Sequence, residues 1–564
     1  MRITYKPTPQ SVYKDYRAGL DFNNGIELYR NVETNENFFI GKQWEGVKSN
    51  GLPTPVFNFL KRVVLFSVAN VSTDNLKLHA ENMPSTGERD PHTMEVLTDI
   101  INDQFSNIFE MNNIGSSVRE FARNAAVDAD GCTYTYWDPS TDIGQTAKGS
   151  ICTEVLQNTQ ITFGNPNSRD VQSQPFIIID RRMLVEDAID RAIANDVSES
   201  DAESMIQADD KENLSDSNLD RLGGGKVTVL LRLWRDKKTG TIHGYECTKD
   251  CVVREEWDLG IKLYPVTWMN WDYVQDCYHG QAMITGLIPN QIFVNKLFAM
   301  SMISLMTLAY PKVVFDRTRI VKWDNRVGAA IGVNGSVENV SKIVDPATIS
   351  PQIAQFIDLA VSYTQKFLGA SDVAMGDTRP DNTSAIIALQ RAAATPMELT
   401  KQNLLQSVED LGRIYMEFMG EYYGTRFVQI ANPYDTDKLV ISFDFSILKK
   451  LPFQIKLDVG NSSYWSEIAS QQTLDNLLMN KRISTVEYLK RLPAGSITDR
   501  ESLIKIMQQT QTLPDGTIPD SPLLGGAGAE QPPSPDSGIP VIGGRGNHEL
   551  QRKINETGTV PQAM

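Results

Sequence analysis

Two helical patterns of nearly equal length flank an insert of about 40 residues, and this arrangement constrains the fold more than any other feature of the chain. The first pattern covers 289–308 and begins with a proline, which suits the first turn of a helix. The second covers 351–368, with Ser350 as N-cap and Pro351 at the first helical position. At 1.5 Å per residue the helices span roughly 30 and 27 Å. We therefore predict an antiparallel helix hairpin with a small domain, 309–350, at its tip.

The hairpin helices carry more apolar surface than one chain covers easily. Leu297–Tyr310 is the most apolar stretch, but its 14 residues are fewer than the roughly 20 that a membrane span needs. The second helix has apolar residues on more than one face, which neighbouring copies of the chain can bury. Phe356 and Ile357 are therefore predicted oligomer contacts. A hairpin folded back onto its own domain is the alternative.

The insert 309–350 is basic, although the whole chain has a net charge of −16. Short strand-like runs are expected within it at Lys312–Phe315, Arg319–Trp323, Ala330–Val333 and Lys342–Val344. Ordinary surface charge is one explanation for the basic residues, and contact with an acidic partner protein is the other. The candidate partner contacts are Arg317, Arg319, Lys322 and Arg326.

A polar loop and a long helical pattern follow the hairpin. Gly376, Pro380 and several polar residues predict a loop over 370–383, and either Asn382 or Thr383 can cap the helix that follows. That helical pattern runs over 384–423, and a proline at position 396 predicts a kink within it.

The remaining segments predict an α+β fold that is mainly α. We expect a helix in Tyr29–Gln43 that ends at Gly41, a helix in Val56–Leu76, and two helices in 92–128 separated near 112–115. Strands are expected at Gly131–Asp138, Ile151–Phe163, Pro175–Ile179, Val227–Trp234, Ile242–Tyr264 and within 426–459. Further helices are expected at Arg181–Asn195, Trp465–Asn480, Ser484–Leu492 and Arg500–Gln509. Gly, Pro and Ser dominate 513–564, which predicts a flexible tail.

One segment of the chain is strongly acidic. Nine acidic residues and a single basic residue, Lys211, lie in 196–220 among serines and asparagines. This composition predicts a solvated, mobile loop or insertion. Docking of a basic partner is the alternative.

Patterns that would indicate an enzyme are missing from the sequence. Gly223-Gly224-Gly225-Lys226 is followed by Val227 rather than Ser or Thr, so it is not a phosphate-binding loop. His243 near Cys247 and Cys251 supplies too few ligands for a closed zinc site, and reduced cysteines are expected. We predict a non-enzymatic protein without metal or cofactor. Its acidity disfavours tight, sequence-independent DNA binding but is compatible with DNA that slides past.

Five stretches in this order resemble portal proteins of tailed bacteriophages. They are NENFFIGKQWEGVKSNGLPTPVFNFLKRVV (35–64), AAVDADGCTYTYWDPS (125–140), YHGQAMITGLIPNQIFVNKLFAMSM (278–302), LGASDVAMGDTRPDNTSAIIALQRA (368–392) and LLMNKRISTVEYLKRLP (477–493). The resemblance implies the portal fold, with a wing, a two-helix stem, a clip, a kinked tunnel helix and a helical crown.

The resemblance also assigns a part of that fold to each segment. The implied parts are the wing (1–277, with the acidic insert 196–220, and return strands 424–460), the wing-to-stem segment with the first stem helix (278–308), the clip (309–350), the second stem helix (351–369), the tunnel loop and long kinked helix (370–423), the crown helices (461–512) and the tail (513–564). Side chains implied to face DNA in the tunnel are Met375, Asp377, Thr378, Arg379, Asn382, Lys366, Arg391 and Lys401.

Function and partners are likewise implied by the resemblance. A portal protein forms a ring, usually a dodecamer, at one vertex of the capsid, and double-stranded DNA passes through it during packaging and ejection. The implied partners are the terminase large subunit, a head-tail adaptor or connector protein, and the major capsid and scaffold proteins. The implied location is the virion, after assembly in the host cytoplasm. Another virion structural protein, such as an adaptor or minor capsid component, and a packaging enzyme such as a terminase are the alternatives.

Overall fold

The computed structural model describes most of the chain. The described residues are 6–46, 48–49, 51, 53–72, 76–82, 91–145, 148–209, 225–309, 313–320, 322, 324, 330–343, 352–367, 397–431, 438–450, 453–458, 464–480, 482–492 and 503–504. They divide into two compact units, with the boundary between Ala469 and Ser470. Helices and antiparallel strands both contribute, consistent with the predicted α+β class.

The N-terminal part is helical, and its helices begin and end at residues with the expected capping chemistry. Helix α1 (Pro9–Gly25) begins after Thr8, whose side chain accepts a hydrogen bond from the backbone N–H of Ser11. Helix α2 (Leu28–Ile40) ends at Gly41, where φ is 101°, so the predicted end is confirmed. Helix α3 (Phe59–Val71) follows within the predicted segment.

The break predicted between two helices in 92–128 is confirmed. Helix α4 (Pro91–Met111) and helix α5 (Ile114–Asp128) are separated by Asn112 and Asn113. Asn113 has φ of 50°, a left-handed conformation that asparagine tolerates better than most residues. Strand β1 (Lys77–Asn82) precedes α4 and packs against it.

Two antiparallel sheets follow. The first has the order β3-β2-β9 and contains β2 (Asp130–Asp138), β3 (Ser150–Leu156) and β9 (Val266–Asn270). The second has the order β4-β5-β6-β7-β8, so each strand pairs with the next along the chain. Its strands are β4 (Ile161–Phe163), β5 (Phe176–Leu184), β6 (Lys226–Arg235), β7 (Ile242–Cys247) and β8 (Val252–Asp258).

The five-stranded sheet is buried on both faces. Ile178 and Leu230 pack against Val12 and Tyr16 of α1. Ile177, Leu231 and their neighbours on the other face belong to the main core. Because side chains alternate along a strand, one face receives α1 and the other receives the main core.

Two predictions for 181–220 are wrong. The helix expected from Arg181 begins only at Val185, because β5 continues to Leu184 in pairing with β6; helix α6 is Val185–Ala194. The acidic segment is not a loop throughout, since helix α7 (Glu199–Met205) forms within it. Ala202 and Ile206 are buried against α6 and the sheet, so burial of a few apolar side chains outweighs the surrounding charge.

The helix hairpin is confirmed, as are the first and last of the four strands predicted in its insert. Helix α8 (Ile288–Ala309) and helix α9 (Gln352–Phe367) match the predicted ranges closely. Between them, β10 (Val313–Phe315) pairs antiparallel with β11 (Ser341–Ile343). The strands predicted at Arg319–Trp323 and Ala330–Val333 are wrong, because their described residues have no strand partner and form turns or irregular backbone.

The C-terminal third returns to the main core. Helix α10 (Glu398–Tyr422) buries the apolar face predicted from its periodicity, including Leu404, Val408, Leu411, Tyr415 and Phe418. Strands β12 (Thr425–Ala431) and β13 (Lys438–Asp444) form a hairpin, and β14 (Phe453–Asp458) pairs with β1. The expected kink at Pro396 and the helix over 384–396 lie outside the described residues.

Two more helices complete the description. Helix α11 is Tyr464–Met479. Helix α12 (Thr485–Arg491) begins after Ser484, whose hydroxyl accepts from the backbone N–H of Glu487, so the helix predicted over Ser484–Leu492 is confirmed. Among the described residues, no helix combines the length and apolar character required to cross a membrane.

Candidate functional site: the helix hairpin and its insert

The two hairpin helices are antiparallel and joined near their base. Nδ2 of Asn290, in the first turn of α8, donates to Oγ1 of Thr364, in the last turns of α9, at 3.2 Å. The Thr364 hydroxyl also donates to the carbonyl of Ala360 at 2.7 Å and is buried. The start of one helix therefore meets the end of the other, as an antiparallel pair requires.

A buried amide network ties the base of α8 to the segment before α3. Nε2 of Gln291 donates to the carbonyl of Phe57 at 2.7 Å and to Oδ1 of Asn295 at 3.0 Å. Nδ2 of Asn295 in turn donates to Oε1 of Gln43 at 2.7 Å. These amides are buried and hydrogen-bonded, so the hairpin leaves the body of the protein in a defined direction.

Sequence reasoning missed this network. Its only sign in the sequence is a pair of amides four residues apart, Gln291 and Asn295, at the start of an otherwise apolar helix. The aromatic ring of Phe57 adds an apolar contact at the same place, with its centroid 3.9 Å from that of Phe298.

Beyond its base, the hairpin exposes large apolar side chains. Phe356 of α9 is 56% exposed and Leu305 of α8 is 54% exposed. Ile357, the second predicted oligomer contact, is only partly exposed. Other exposed apolar side chains on the two helices are Phe293, Met300, Met302, Met306, Leu359 and Tyr363. The described part of the chain leaves these side chains in contact with water.

The described part of the insert has a small core under a basic surface. Ile320 and Val340 are buried, and the backbone N–H of Asp316 donates to the carbonyl of Val340 at 2.9 Å. Hydrogen bonds from the hydroxyl and backbone N–H of Thr318 hold the pKa of the Asp316 carboxyl below its usual value. This turn presents the predicted partner contacts outward.

Three of the four predicted partner contacts are described, and all three are exposed. They are Arg317, Arg319 and Lys322. Nε of Arg319 lies 3.6 Å from Oδ2 of Asp316, an exposed ion pair that leaves the guanidinium in water. Arg326 lies outside the described residues.

Most of the predicted tunnel residues cannot be placed. Met375, Asp377, Thr378, Arg379, Asn382 and Arg391 lie outside the described residues. Lys366 belongs to the last turn of α9, but its side chain is outside the described set. Lys401 is in the first turn of α10 and is partly exposed.

The cluster considered for a metal does not have ligand geometry. Nδ1 of His243 lies 2.9 Å from Oε1 of Glu256, on the neighbouring strand. Cys247 and Cys251 are buried free thiols, and burial raises the pKa of Cys247 to about 12, which keeps it protonated. Within the described ranges, no group of histidine, cysteine and acidic side chains is arranged to bind a metal ion.

The acidic segment contributes a structural ion pair. The Asp209 carboxylate accepts from the guanidinium of Arg182 and from the backbone N–H of Thr228, the latter at 3.1 Å. Asp209 therefore fixes this part of the acidic segment to strands β5 and β6, and its charge is used within the chain.

Comparison with known proteins supports the family suggested by the sequence. A search of the curated proteins finds no match. The family model described as Phage P22-like portal protein matches residues 193–446. The matched segment begins in α6 and contains most of the five-stranded sheet, the hairpin and its insert, α10 and the β12–β13 hairpin. The match confirms the resemblance over this segment: residues 193–446 are similar to phage portal proteins.

Proposed function

We propose that this chain forms the portal ring at one vertex of a tailed-phage capsid, through which double-stranded DNA is packaged and ejected. The observation that carries the proposal is the α8–α9 hairpin, which is anchored at its base and exposes large apolar side chains beyond it. The family match over 193–446 includes this hairpin.

The exposed apolar side chains support contacts between copies. Burying apolar surface contributes about 25 cal/mol per Å², so several half-exposed Phe, Met and Leu side chains together favour association by several kcal/mol. In the described residues the hairpin is not folded back over these side chains. A ring of identical subunits covers the same surface on every copy, because each hairpin contacts the next. We expect a dodecamer, with the hairpins as the stem.

The insert is proposed as the clip that docks other proteins. Arg317, Arg319 and Lys322 are exposed on a folded turn, and Arg326 is proposed to join them. Exposed basic groups favour an acidic surface on the partner and make binding sensitive to salt. The proposed partners are the terminase large subunit during packaging and a head-tail adaptor or connector afterwards. Major capsid and scaffold proteins are proposed contacts during assembly.

The segment 370–383 is proposed as the tunnel loop that faces DNA. It carries Asp372, Asp377 and Asp381 against one basic residue, Arg379. Such a balance disfavours strong attraction to phosphates, which would slow a sliding duplex, and leaves Arg379 for brief backbone contacts. Lys366, Arg391 and Lys401 are proposed as weaker contacts. No catalytic step is proposed, and assembly is proposed to occur in the host cytoplasm.

Electron microscopy and native mass spectrometry of the purified full-length chain test the proposal. We expect closed rings with a central channel and a mass of about twelve subunits. A monomer, or an assembly without a channel, would contradict it. A closed ring that neither binds a terminase large subunit nor supports packaging would favour an adaptor-type virion protein. Intrinsic ATP hydrolysis would favour a packaging enzyme.

A further inference from the structure

A side-chain amide takes the place of a peptide group at the edge of β12. Nε2 of Gln145 donates to the carbonyl of Phe427 at 3.2 Å, and Oε1 of Gln145 accepts from the backbone N–H of Phe427 at 3.0 Å. A residue of an added antiparallel strand would make the same two bonds. The outer edge of β12 is therefore competent for pairing at this position.

The register of the β12–β13 hairpin shows that a second residue of β12 also directs its backbone groups to the outer edge. Phe427 is opposite Ser442 and Gln429 is opposite Val440. Hydrogen-bonding directions alternate along a strand, so the backbone N–H and C=O of Gln429 point to the same outer side as those of Phe427. Arg426 anchors the strand beneath, because its buried guanidinium donates to the carbonyl of Gly149 at 2.9 Å.

A groove of about 630 Å³ lies beside this edge. Residues 426–429 and Gln145 form one wall, and α4 contributes Asp103, Gln104, Asn107 and Glu110 to the lining. Met111 and Phe427, which also line the groove, are each 55% exposed. The α4 wall is acidic, and Phe427 and Met111 provide apolar contact. Its occupant should be an extended, basic segment with alternating apolar residues.

The first six residues of the chain, Met-Arg-Ile-Thr-Tyr-Lys, have this chemistry. Arg2, Thr4 and Lys6 alternate with Ile3 and Tyr5, and β-branched and aromatic residues suit a strand. The segment has no acidic residue, which complements Asp103 and Glu110. Pro7 follows and would end backbone pairing. Residues 1–5 lie outside the described set.

The segment cannot easily reach the groove of its own chain. Helix α1 packs on the face of the five-stranded sheet through Val12 and Tyr16, whereas Val428 of β12 belongs to the main core on the other side. Six extended residues span about 20 Å, and pairing with β12 would use most of that length. The segment is therefore assigned to a second copy.

We infer that residues 1–6 of one copy add as a strand to the outer edge of β12 in a second copy, displacing the amide of Gln145. The inference rests on the proposed function only in requiring a second copy. It adds a contact distant in sequence from the stem, and that contact is made by backbone hydrogen bonds rather than apolar burial.

Chemical cross-linking of full-length protein tests the inference. Thr4→Cys and Gln429→Cys variants are mixed during assembly and treated with a short bismaleimide. We expect covalent dimers containing one copy of each variant. Lys14→Cys, in exposed α1, replaces Thr4→Cys as the matched control and should give only the background of the wild-type chain. Rings without a specific cross-link would overturn the inference and leave the ring proposal intact, whereas failure to form rings would count against the ring proposal.

Binding of a synthetic peptide with the sequence of residues 1–7 gives an independent readout. The peptide should bind a chain that lacks residues 1–6, less tightly as salt rises. Phe427→Pro should abolish binding, because it removes the backbone N–H to which the peptide is proposed to bind. This N–H points away from β13, so the β12–β13 hairpin does not lose a hydrogen bond. A peptide with Glu at positions 2 and 6 should bind at least tenfold more weakly. The inference would be overturned if the peptide bound the Phe427→Pro variant as tightly as the unsubstituted protein. It would also be overturned if the Glu-containing peptide bound as tightly as the original peptide.

Discussion

Asp130 and His279 form a buried pair in which Oδ2 of the carboxylate lies 2.7 Å from Nδ1 of the imidazole. The other carboxylate oxygen accepts from Nδ2 of Asn270 at 2.7 Å and from the backbone N–H of Gly280 at 2.8 Å. Nε2 of His279 faces Oδ1 of Asn23 at 3.2 Å, which joins α1 to the three-stranded sheet. A buried carboxylate that is hydrogen-bonded through both oxygens in this way stabilises one arrangement of the elements around it.

Replacing Asp130 with alanine should therefore destabilise the folded protein. The change leaves Asn270, Gly280 and His279 with buried donors that have lost their acceptor, at a cost of about 3 kcal/mol or more. Thermal unfolding of the full-length protein measures the effect. Asp142→Ala, an exposed carboxylate in a turn, is the control and should change the melting temperature little. Equal effects of the two changes would contradict the role assigned to Asp130.

Asp128 should make stability depend on pH. Burial is the main reason that the pKa of Asp128 rises to about 7, and the charge of Glu36 raises it further while Arg123 opposes the shift. The pKa of this carboxyl is near 4 in the unfolded chain and higher in the folded protein. The folded protein is therefore most stable, with respect to this group, below pH 4, and it loses stability as the pH rises from about 4 to 7.

Asp128→Asn should remove that dependence. The variant should gain stability relative to the wild type between pH 5 and pH 8, by about 2.5 kcal/mol, because about two pH units of the shift lie in this range. Melting temperatures of both proteins at the two pH values are the measurement. A constant difference across this range would show that the Asp128 carboxyl is not protonated in the folded protein.

Charge on the hairpin should weaken association between copies. Phe356→Asp together with Ile357→Asp places two carboxylates where apolar surface is proposed to be buried, which is unfavourable without a partner charge. Native mass spectrometry should show smaller species or monomers. Ile193→Asp with Met205→Asp, two exposed apolar positions outside the hairpin, is the matched control. An unchanged ring mass for the hairpin variant would argue against stem contacts at these positions.

Reversing the charge of the insert should weaken partner binding without affecting the ring. The change is Arg317→Glu, Arg319→Glu, Lys322→Glu and Arg326→Glu. Affinity for the terminase large subunit and for an adaptor protein should fall at least tenfold, because each attraction becomes a repulsion. Lys237→Glu with Lys238→Glu, in the exposed turn between β6 and β7, is the control. Normal affinity for both partners in moderate salt would exclude this docking role.

Shortening the tunnel loop should separate assembly from packaging. Deletion of Met375–Arg379 should leave rings intact and impair packaging or retention of DNA, because the loop is proposed to touch DNA and not other subunits. Ring formation and packaged DNA are measured on the same preparations. Normal packaging and retention would contradict a gate role, and loss of rings would show that the loop is a structural joint.

The elements predicted from sequence are those whose evidence is local. Hydrophobic period and a capping residue indicated α8, α9 and the buried face of α10, and Ser484 indicated the start of α12. The three exposed basic residues of the insert were also recognisable, because a charged side chain on a short turn remains in water. Each of these features depends on residues within a few turns of one another.

Tertiary structure alone decided the elements whose partners are distant. Strand β1 pairs with β14, and strand β9 pairs with β2, in each case more than 100 residues away in sequence. Strands β1 and β9 were therefore not predicted. Pairing with β6 kept Arg181–Leu184 extended although their spacing suited a helix. Gln43, Gln291 and Asn295 meet only in the folded chain. Backbone preference is worth less than 1 kcal/mol per residue, so burial and hydrogen bonding to distant partners override it.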